Sequence, residues 1–452
     1  MEAIESAIRA FFEWKPYVML PFIVFALGLL AGMGLKGAGL ASLRLGAGFA
    51  GVFLVFEAFV AAIGPAVAAL VANTGLSFPV ADVGWPPLAA ITWSSFLAPL
   101  SILLVLGLNF TMLALKLTKT LYIDIWNYWH FAFIGALFQA TGASLPLSIA
   151  AILAIAAYSI KTTEWSAPFV ERATGIKGLA VSPLSVSGLL PWGVAADRLI
   201  ERIPGLRRVE WNPSRHGGAK KPFLAEPMAV GVLLGLFLGV LADYEIKKAL
   251  ELAALFAAVM FLLPKAGGLI GEGMGALSEA IRAKVAKRFP GRADLSIAVD
   301  TGFLMTNASV VTTGLVLMPL ALGLAFVLPG ARLIPMGDLP NLMSIMSCVT
   351  IACGGNVFRA VLAGLPIVAS FILIAGELAP LFTRLSSGLF DAGGAAELTA
   401  FTDGGNQIRY LFMALKAGDI LAIASLPVIG FLMWLAWRRQ KAVAAELEGR
   451  QA

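Results

Sequence analysis

Four nearly unbroken apolar runs, Val18–Met33, Ile102–Leu115, Leu315–Leu328 and Ile420–Trp437, assign this chain to one solvent, the lipid bilayer. A helix crosses the hydrocarbon core with about 20 apolar residues, and any backbone at that depth must satisfy its own N–H and C=O groups. The runs are continuous, whereas a transmembrane barrel alternates apolar and polar positions. With 59% hydrophobic and 13% charged residues, the fold class is an all-α polytopic membrane protein. Apolar centres near Phe25, Phe53, Leu104, Ile134, Leu153, Gly235, Phe256, Met318, Ser347, Val368 and Leu426 give about eleven transmembrane helices. No short basic segment followed by a small-residue cleavage site opens the chain. Met1–Trp14 reads instead as an amphipathic interfacial helix, with Ile4, Ile8, Phe11 and Phe12 on one side.

The net charge of +6 resides in loops, so it bears on topology and argues for no nucleic-acid partner. Lys36, Arg44, Lys116 and Lys119 follow odd-numbered spans, as do the segments Lys161–Lys221 and Arg282–Arg292 and the tail Arg438, Arg439 and Lys441. All fall on one side if the N-terminus is outside, which makes the C-terminus cytoplasmic. The opposite segment Gly64–Pro87 has no Lys or Arg, although Lys247, Lys248, Arg332, Arg384, Arg409 and Lys416 depart from the rule.

The chain also repeats itself. Asp82-Val83-Gly84-Trp85, an apolar run and then Asp124-Ile125-Trp126-Asn127 are answered by Asp300-Thr301-Gly302-Phe303, an apolar run and Asp338-Leu339-Pro340-Asn341. The copies lie roughly 215 residues apart, about half the chain, as a tandem duplication requires. Five spans per copy place the copies in opposite orientations, so the expectation is two inverted five-helix repeats with re-entrant or broken helices, plus an extra C-terminal helix. The corresponding domains are 1–161, the first repeat, and 162–225, a cytoplasmic linker. The second repeat follows at 226–390, then 391–452, a periplasmic segment with the last span and a cytoplasmic tail.

Charged groups inside membrane segments cost several kcal/mol unless they face a cavity or a partner. Asp82 precedes Gly84, Trp85, Pro86 and Pro87, which break a helix; its ordinary role is an N-cap. The matching Asp300 and Thr301 favour a ligand site, because paired helix starts meet at buried ligands in duplicated transporters. Asp124, Asn127 and His130 share a helical face, with Gln139 further along. His130 is one of two histidines, and its ordinary role is a hydrogen-bonded packing residue. Asp338, Asn341 and Asn356 complete the substrate-binding candidates. Carboxylates and amides suit a neutral polyhydroxy ligand, with a Trp face over its C–H side. The same carboxylates also suit Na⁺ or protons, so a coupled or uncoupled secondary transporter stays open.

Other chemistries lack their motifs. There is no phosphate-binding lysine loop, metal-ligand cluster or nucleophile–base pair, so no cofactor and no metal is expected. Cys348 and Cys353 lie in an apolar run at a spacing that suits neither a metal pair nor a disulfide.

The strings Asp82-Val83-Gly84-Trp85-Pro86 and Asp124-Ile125-Trp126-Asn127-Tyr128-Trp129-His130 resemble the membrane IIC component of galactitol-type phosphotransferase systems. So do Ala225-Glu226-Pro227, Pro335-Met336-Gly337-Asp338-Leu339, Gly355-Asn356-Val357-Phe358-Arg359 and Thr402-Asp403-Gly404-Gly405. The resemblance covers nearly the whole chain and groups it with the ascorbate-type carriers. It implies a homodimer in the bacterial inner membrane, with a core domain sliding against a V-shaped scaffold. The implied substrate is a galactitol-like polyol or sugar, phosphorylated by a separate cytoplasmic EIIB through a phosphocysteine. No phosphorylated residue on this chain is implied, and His130 or a site carboxylate becomes a candidate acceptor for the hydroxyl proton. Such carriers have histidines near the positions of Val181–Pro183, Thr306–Asn307 and Cys353–Gly354. This chain has none there, which leaves a pentitol, another hexitol or a sugar open as ligand and an uncoupled facilitator as the alternative.

Overall fold

The computed structural model describes residues 11, 14, 16–74, 78–82, 84–85, 88–89, 92, 95, 97–215, 227–288, 295–335, 338–386 and 397–451. The expected N-terminal interfacial helix lies almost wholly outside them, as do Val83, Pro86, Pro87, Met336, Gly337 and the ends of both basic loops.

The first half runs through α1 (Pro16–Ala31), α2 (Gly34–Thr74), β1 (Val80–Asp82), α3 (Leu97–Ala114) and β2 (Thr120–Leu121). A 3-10 turn at Ile125–Tyr128 leads into α4 (Trp129–Ala140), followed by α5 (Leu145–Thr174), β3 (Leu179–Val181), α6 (Leu184–Ser187) and α7 (Leu190–Glu201). The second half contains α8 (Pro227–Leu241), α9 (Ile246–Arg288), β4 (Ser296–Val299), a 3-10 turn at Thr301–Thr306 and α10 (Ala308–Val327). It continues through a 3-10 turn at Leu339–Asn341, α11 (Leu342–Ile345), α12 (Ser347–Ala352), α13 (Val357–Ser386) and β5 (Glu397–Thr399). Then come α14 (Phe401–Gly404), α15 (Gln407–Lys416) and the final α16 (Ile420–Gln451).

Among the described residues, α5, α10, α13 and α16 are long and apolar enough to span a membrane, and shorter apolar helices accompany them. The protein is therefore a polytopic helical membrane protein. All eleven expected centres fall inside helices. The caps explain several boundaries. The Ser144 hydroxyl accepts from Leu147 N at the start of α5, and Gly175 closes that helix at φ 74°, a left-handed turn that glycine adopts without strain. Asn307 and Asn406 cap α10 and α15 through their side-chain oxygens.

The helices α2 and α9, 41 and 43 residues long, pack along each other, with α1 against α2 and α8 against α9. Small residues permit this closeness: a Cβ at Gly235 would stand 2.4 Å from the Cα of Ala253. This helical group meets the rest of the protein mainly where α9 lies on Thr301–Thr306 and α8 on α10. The remaining helices surround a core that includes Phe169, Phe371 and Phe401.

The all-α expectation needs one correction, because five short strands occur among the described residues. β1 pairs in parallel with β5, and Val80 also bridges to Leu333. β4 pairs in parallel with both β2 and β3. The central strand of each arrangement comes from one half of the chain and its flanking partners from the other. These strands occupy the breaks between helices, where N–H and C=O groups shielded from water must pair with one another.

Candidate functional site

Both strand arrangements end in carboxylates. At the first, Asp82 follows the register pair Ala81↔Leu398 and stands opposite Thr399. Its Oδ1 accepts from Gly84 N at 3.1 Å and Phe401 N at 2.9 Å, and its Oδ2 accepts from Asp338 N at 3.0 Å. Asp338 returns the contact: its Oδ1 accepts from Trp85 N at 3.3 Å, while Oδ2 accepts from Thr402 N at 3.0 Å and from the Thr402 hydroxyl. Each carboxylate thus satisfies the interrupted backbone of the other half. Both are buried.

The second arrangement has the same ground plan. Asp300 follows β4, and its Oδ1 accepts from Gly302 N and the Thr301 hydroxyl, each at 3.3 Å. The Asn127 amide donates to Asp300 Oδ2 at 2.9 Å and to Asp124 Oδ2 at 2.8 Å, bridging the two carboxylates. The Ser182 hydroxyl, just after β3, donates to Asp124 as the Thr402 hydroxyl does to Asp338. Asp124 and Asp300 differ from the first pair in being only half-buried.

Between the two lies a third group. Asp403 accepts from Arg409 Nη2 at 3.2 Å, and the same Nη2 stands 2.6 Å from His130 Nδ1. Arg409 also donates to the main-chain carbonyl of Asp403, and its guanidinium lies 5.4 Å from the Trp129 ring and 5.2 Å from Phe133. Asn341 donates to the Thr402 hydroxyl at 2.9 Å and Asp403 Oδ2 at 3.5 Å. Ser185, one turn beyond Ser182, bonds Asp403, and Thr301 and Ser344 share a hydroxyl contact. Trp85 stacks on Trp129 at 6.4 Å with 20° between the planes.

The EIIC-GAT family model, described as "PTS system sugar-specific permease component", matches residues 10–393. The chain belongs to this family. It is 31% identical over 442 residues to the PTS system galactitol-specific EIIC component of Escherichia coli strain K12, covering 96% of this chain and 97% of the relative. The corresponding protein of Escherichia coli O157:H7 matches to the same extent. A putative permease IIC component of strain K12 is 30% identical over 412 residues, 90% of this chain and 93% of that one.

In this EIIC chain, Asp82, Trp85, His130, Asp338 and Asn341 enter one hydrogen-bonded network, and Asp124, Asn127, Asp300 and Thr301 enter a second. Gln139 enters neither. It sits near the end of α4, nine residues past His130, about 13 Å along the axis at 1.5 Å per residue. Nor does Asn356 enter them: its Nδ2 donates to Val209 C=O at 2.9 Å and its Oδ1 caps α13 at Arg359 N. It belongs to a cluster where Arg359 pairs with Asp197 and Glu201.

Sequence reasoning missed Ser182, Ser185, Thr402, Asp403 and Arg409 as site residues. Arg409 had a signal, a cation on a face otherwise poor in basic residues, six positions after a carboxylate. His130, the candidate proton acceptor, has its Nδ1 2.6 Å from Arg409 Nη2 and 3.5 Å from Asp403 Oδ1. A guanidinium only donates, so the contact with Arg409 occupies the Nδ1 lone pair. Cys348 and Cys353 are buried free thiols. A separate cavity of about 530 Å³ lies against α15, lined by Tyr158, Trp192, Ile367, Gln407, Leu411 and Met433; Arg409 does not line it.

Proposed function

We propose that this chain binds a galactitol-like polyol or sugar and carries it across the bacterial inner membrane for phosphorylation by a separate EIIB. One observation carries the proposal: Asp124, Asp300 and Asp338 have no basic partner among the described residues, although amides and hydroxyls converge on them. Such acceptors suit a ligand that supplies O–H donors without bringing charge of its own. Half-buried Asp124, Asp300, Asn341 and Trp85 are the groups through which it would be held, with the Trp85 face against its C–H side. The names of the full-length relatives favour an alditol.

The transport cycle proposed is an elevator within a homodimer, and the chain is proposed to consist of two inverted repeats at 1–161 and 226–390. Matched lengths support the repeats, with α5 and α13 both 30 residues and α2 and α9 at 41 and 43. The group α1, α2, α8 and α9 serves as scaffold, and its limited contact with the carboxylate-bearing remainder favours sliding. The N-terminus is outside and the C-terminus cytoplasmic, by the distribution of Lys and Arg. Phosphoryl transfer has a loose transition state that demands positioning above all, and Asp124 or Asp300 takes the hydroxyl proton as EIIB delivers its phosphoryl group.

The test is calorimetric binding of galactitol, sorbitol, mannitol, xylitol and galactose to the purified chain. At least one is expected to bind at millimolar concentration or below; binding of none would overturn the assignment. Vesicles holding the chain without EIIB should accumulate no ligand under Na⁺ or proton gradients. Vigorous accumulation there would replace coupled phosphorylation by secondary transport.

A further inference from the structure

We infer that Arg409 is a positioning residue that presents the Nε2–H of His130 to a ligand oxygen. The inference rests on the polyol site proposed above and adds a further N–H donor to its carboxylate acceptors.

The geometry is restrictive. Arginine has five N–H donors and no lone pair, so a 2.6 Å approach of Nη2 to Nδ1 requires a lone pair on Nδ1. An imidazolium has none. The 2.6 Å contact thus favours a neutral ring with its proton on Nε2 over an Nδ1–H aimed at Asp403 Oδ1, which stands 3.5 Å away. Arg409 is itself held on every side: by the Asp403 carboxylate and main-chain carbonyl, by the rings of Trp129 and Phe133, and at its own N–H by the Asn406 cap. Only Nε of the guanidinium is buried without a partner. His130 is equally constrained, since its ring stacks on Trp129 at 4.0 Å and α4 begins one residue earlier.

Nε2 is the open end of this relay. It has no protein acceptor among the described residues, and it is absent from the buried polar atoms left without a partner, so it is not sealed. Asp124, Asp300 and Asp338 accept hydrogen bonds. A hydroxyl group needs both an acceptor for its hydrogen and a donor for its oxygen, and Nε2–H supplies the second. A bare cation, which the carboxylates alone would also admit, gains nothing from that donor. The family match, residues 10–393, does not reach this device: Asp403 and Arg409 both lie beyond it.

The experiment is imidazole ¹⁵N NMR on the full-length protein in lipid nanodiscs, labelled at histidine. Only His130 and His216 contribute, and a His216→Asn background leaves one ring. Ligand-free protein is expected to show an unprotonated Nδ1 and a protonated Nε2. Galactitol, or whichever alditol binds in the screen above, should move the Nε2 signal and leave Nδ1 in place. Arg409→Lys, checked for folding by its thermal melt, should let the tautomers mix. It should also raise KM in EIIB-coupled phosphorylation about five- to tenfold with kcat little changed, the loss expected for one misdirected hydrogen bond. A protonated Nδ1 in the wild type would overturn the inference without need of any variant. A bound polyol that leaves the His130 signals unmoved would overturn it while sparing the proposed function. If no polyol binds, the function fails, and the ligand-free tautomer still reports on Arg409.

Discussion

Replacing Asp124 by Asn should separate ligand binding from stability, because both side-chain donors that hold this carboxylate meet a single oxygen. Oδ2 receives the Asn127 amide at 2.8 Å and the Ser182 hydroxyl. An asparagine with its carbonyl oxygen at that position keeps both bonds. Its NH₂ then stands where the second carboxylate oxygen stood, so that the proposed ligand would meet a donor in place of an acceptor. Loss of one charge-assisted hydrogen bond amounts to about 1–3 kcal/mol, or about 5- to 150-fold in Kd. Folding stability should hold or rise. Asp124 and Asp300 share one amide, and two unit charges about 5 Å apart at an effective dielectric of about 20 repel by up to about 3 kcal/mol. Calorimetric titration with the best alditol gives the first quantity, and the thermal midpoint in detergent without ligand gives the second. The reasoning fails if Asp124→Asn melts several degrees lower while its affinity stays at the wild-type value.

Asp338→Asn should do the opposite. Both its oxygens already accept from main-chain N–H groups of Trp85 and Thr402, so an inserted NH₂ opposes a buried donor and lowers stability by about 1–3 kcal/mol, seen in the same melt. Gln139→Ala should change ligand affinity less than twofold, whereas Asn356→Ala should lower the melting temperature without altering affinity, through loss of a cap of about 1 kcal/mol. Neutralising Arg207, Arg208, Lys220 and Lys221 together should slow EIIB-coupled uptake, most visibly at low salt, with ligand binding unchanged. Equal loss of binding would show that these residues act on the site itself.

The apolar runs made the helices legible, and the duplicated Asp-x-x-Asn strings pointed to the two residues that bridge or anchor the carboxylates, Asn127 and Asn341. The strands were illegible, since two to four residues such as Thr120–Leu121 are too few to display a period. Gln139 and Asn356 were polar residues in apolar surroundings, the same signal that found His130. Their distance from the site follows from helix length and packing, which a linear pattern does not contain. In sequence Arg409 stands out only as a topological exception, because its partner Asp403 lies on the preceding turn and His130 is 279 positions away.

The crossing of strands between halves ties their fates together. β1 finds its hydrogen-bond partners at Leu333 and β5, and β4 finds its own at β2 and β3. Severed within 216–226, neither fragment retains the neighbours that its central strand requires. Two separately expressed pieces would have to find each other before either could close its backbone. Deletion of either half would leave the survivor with a central strand whose backbone groups have lost their partners.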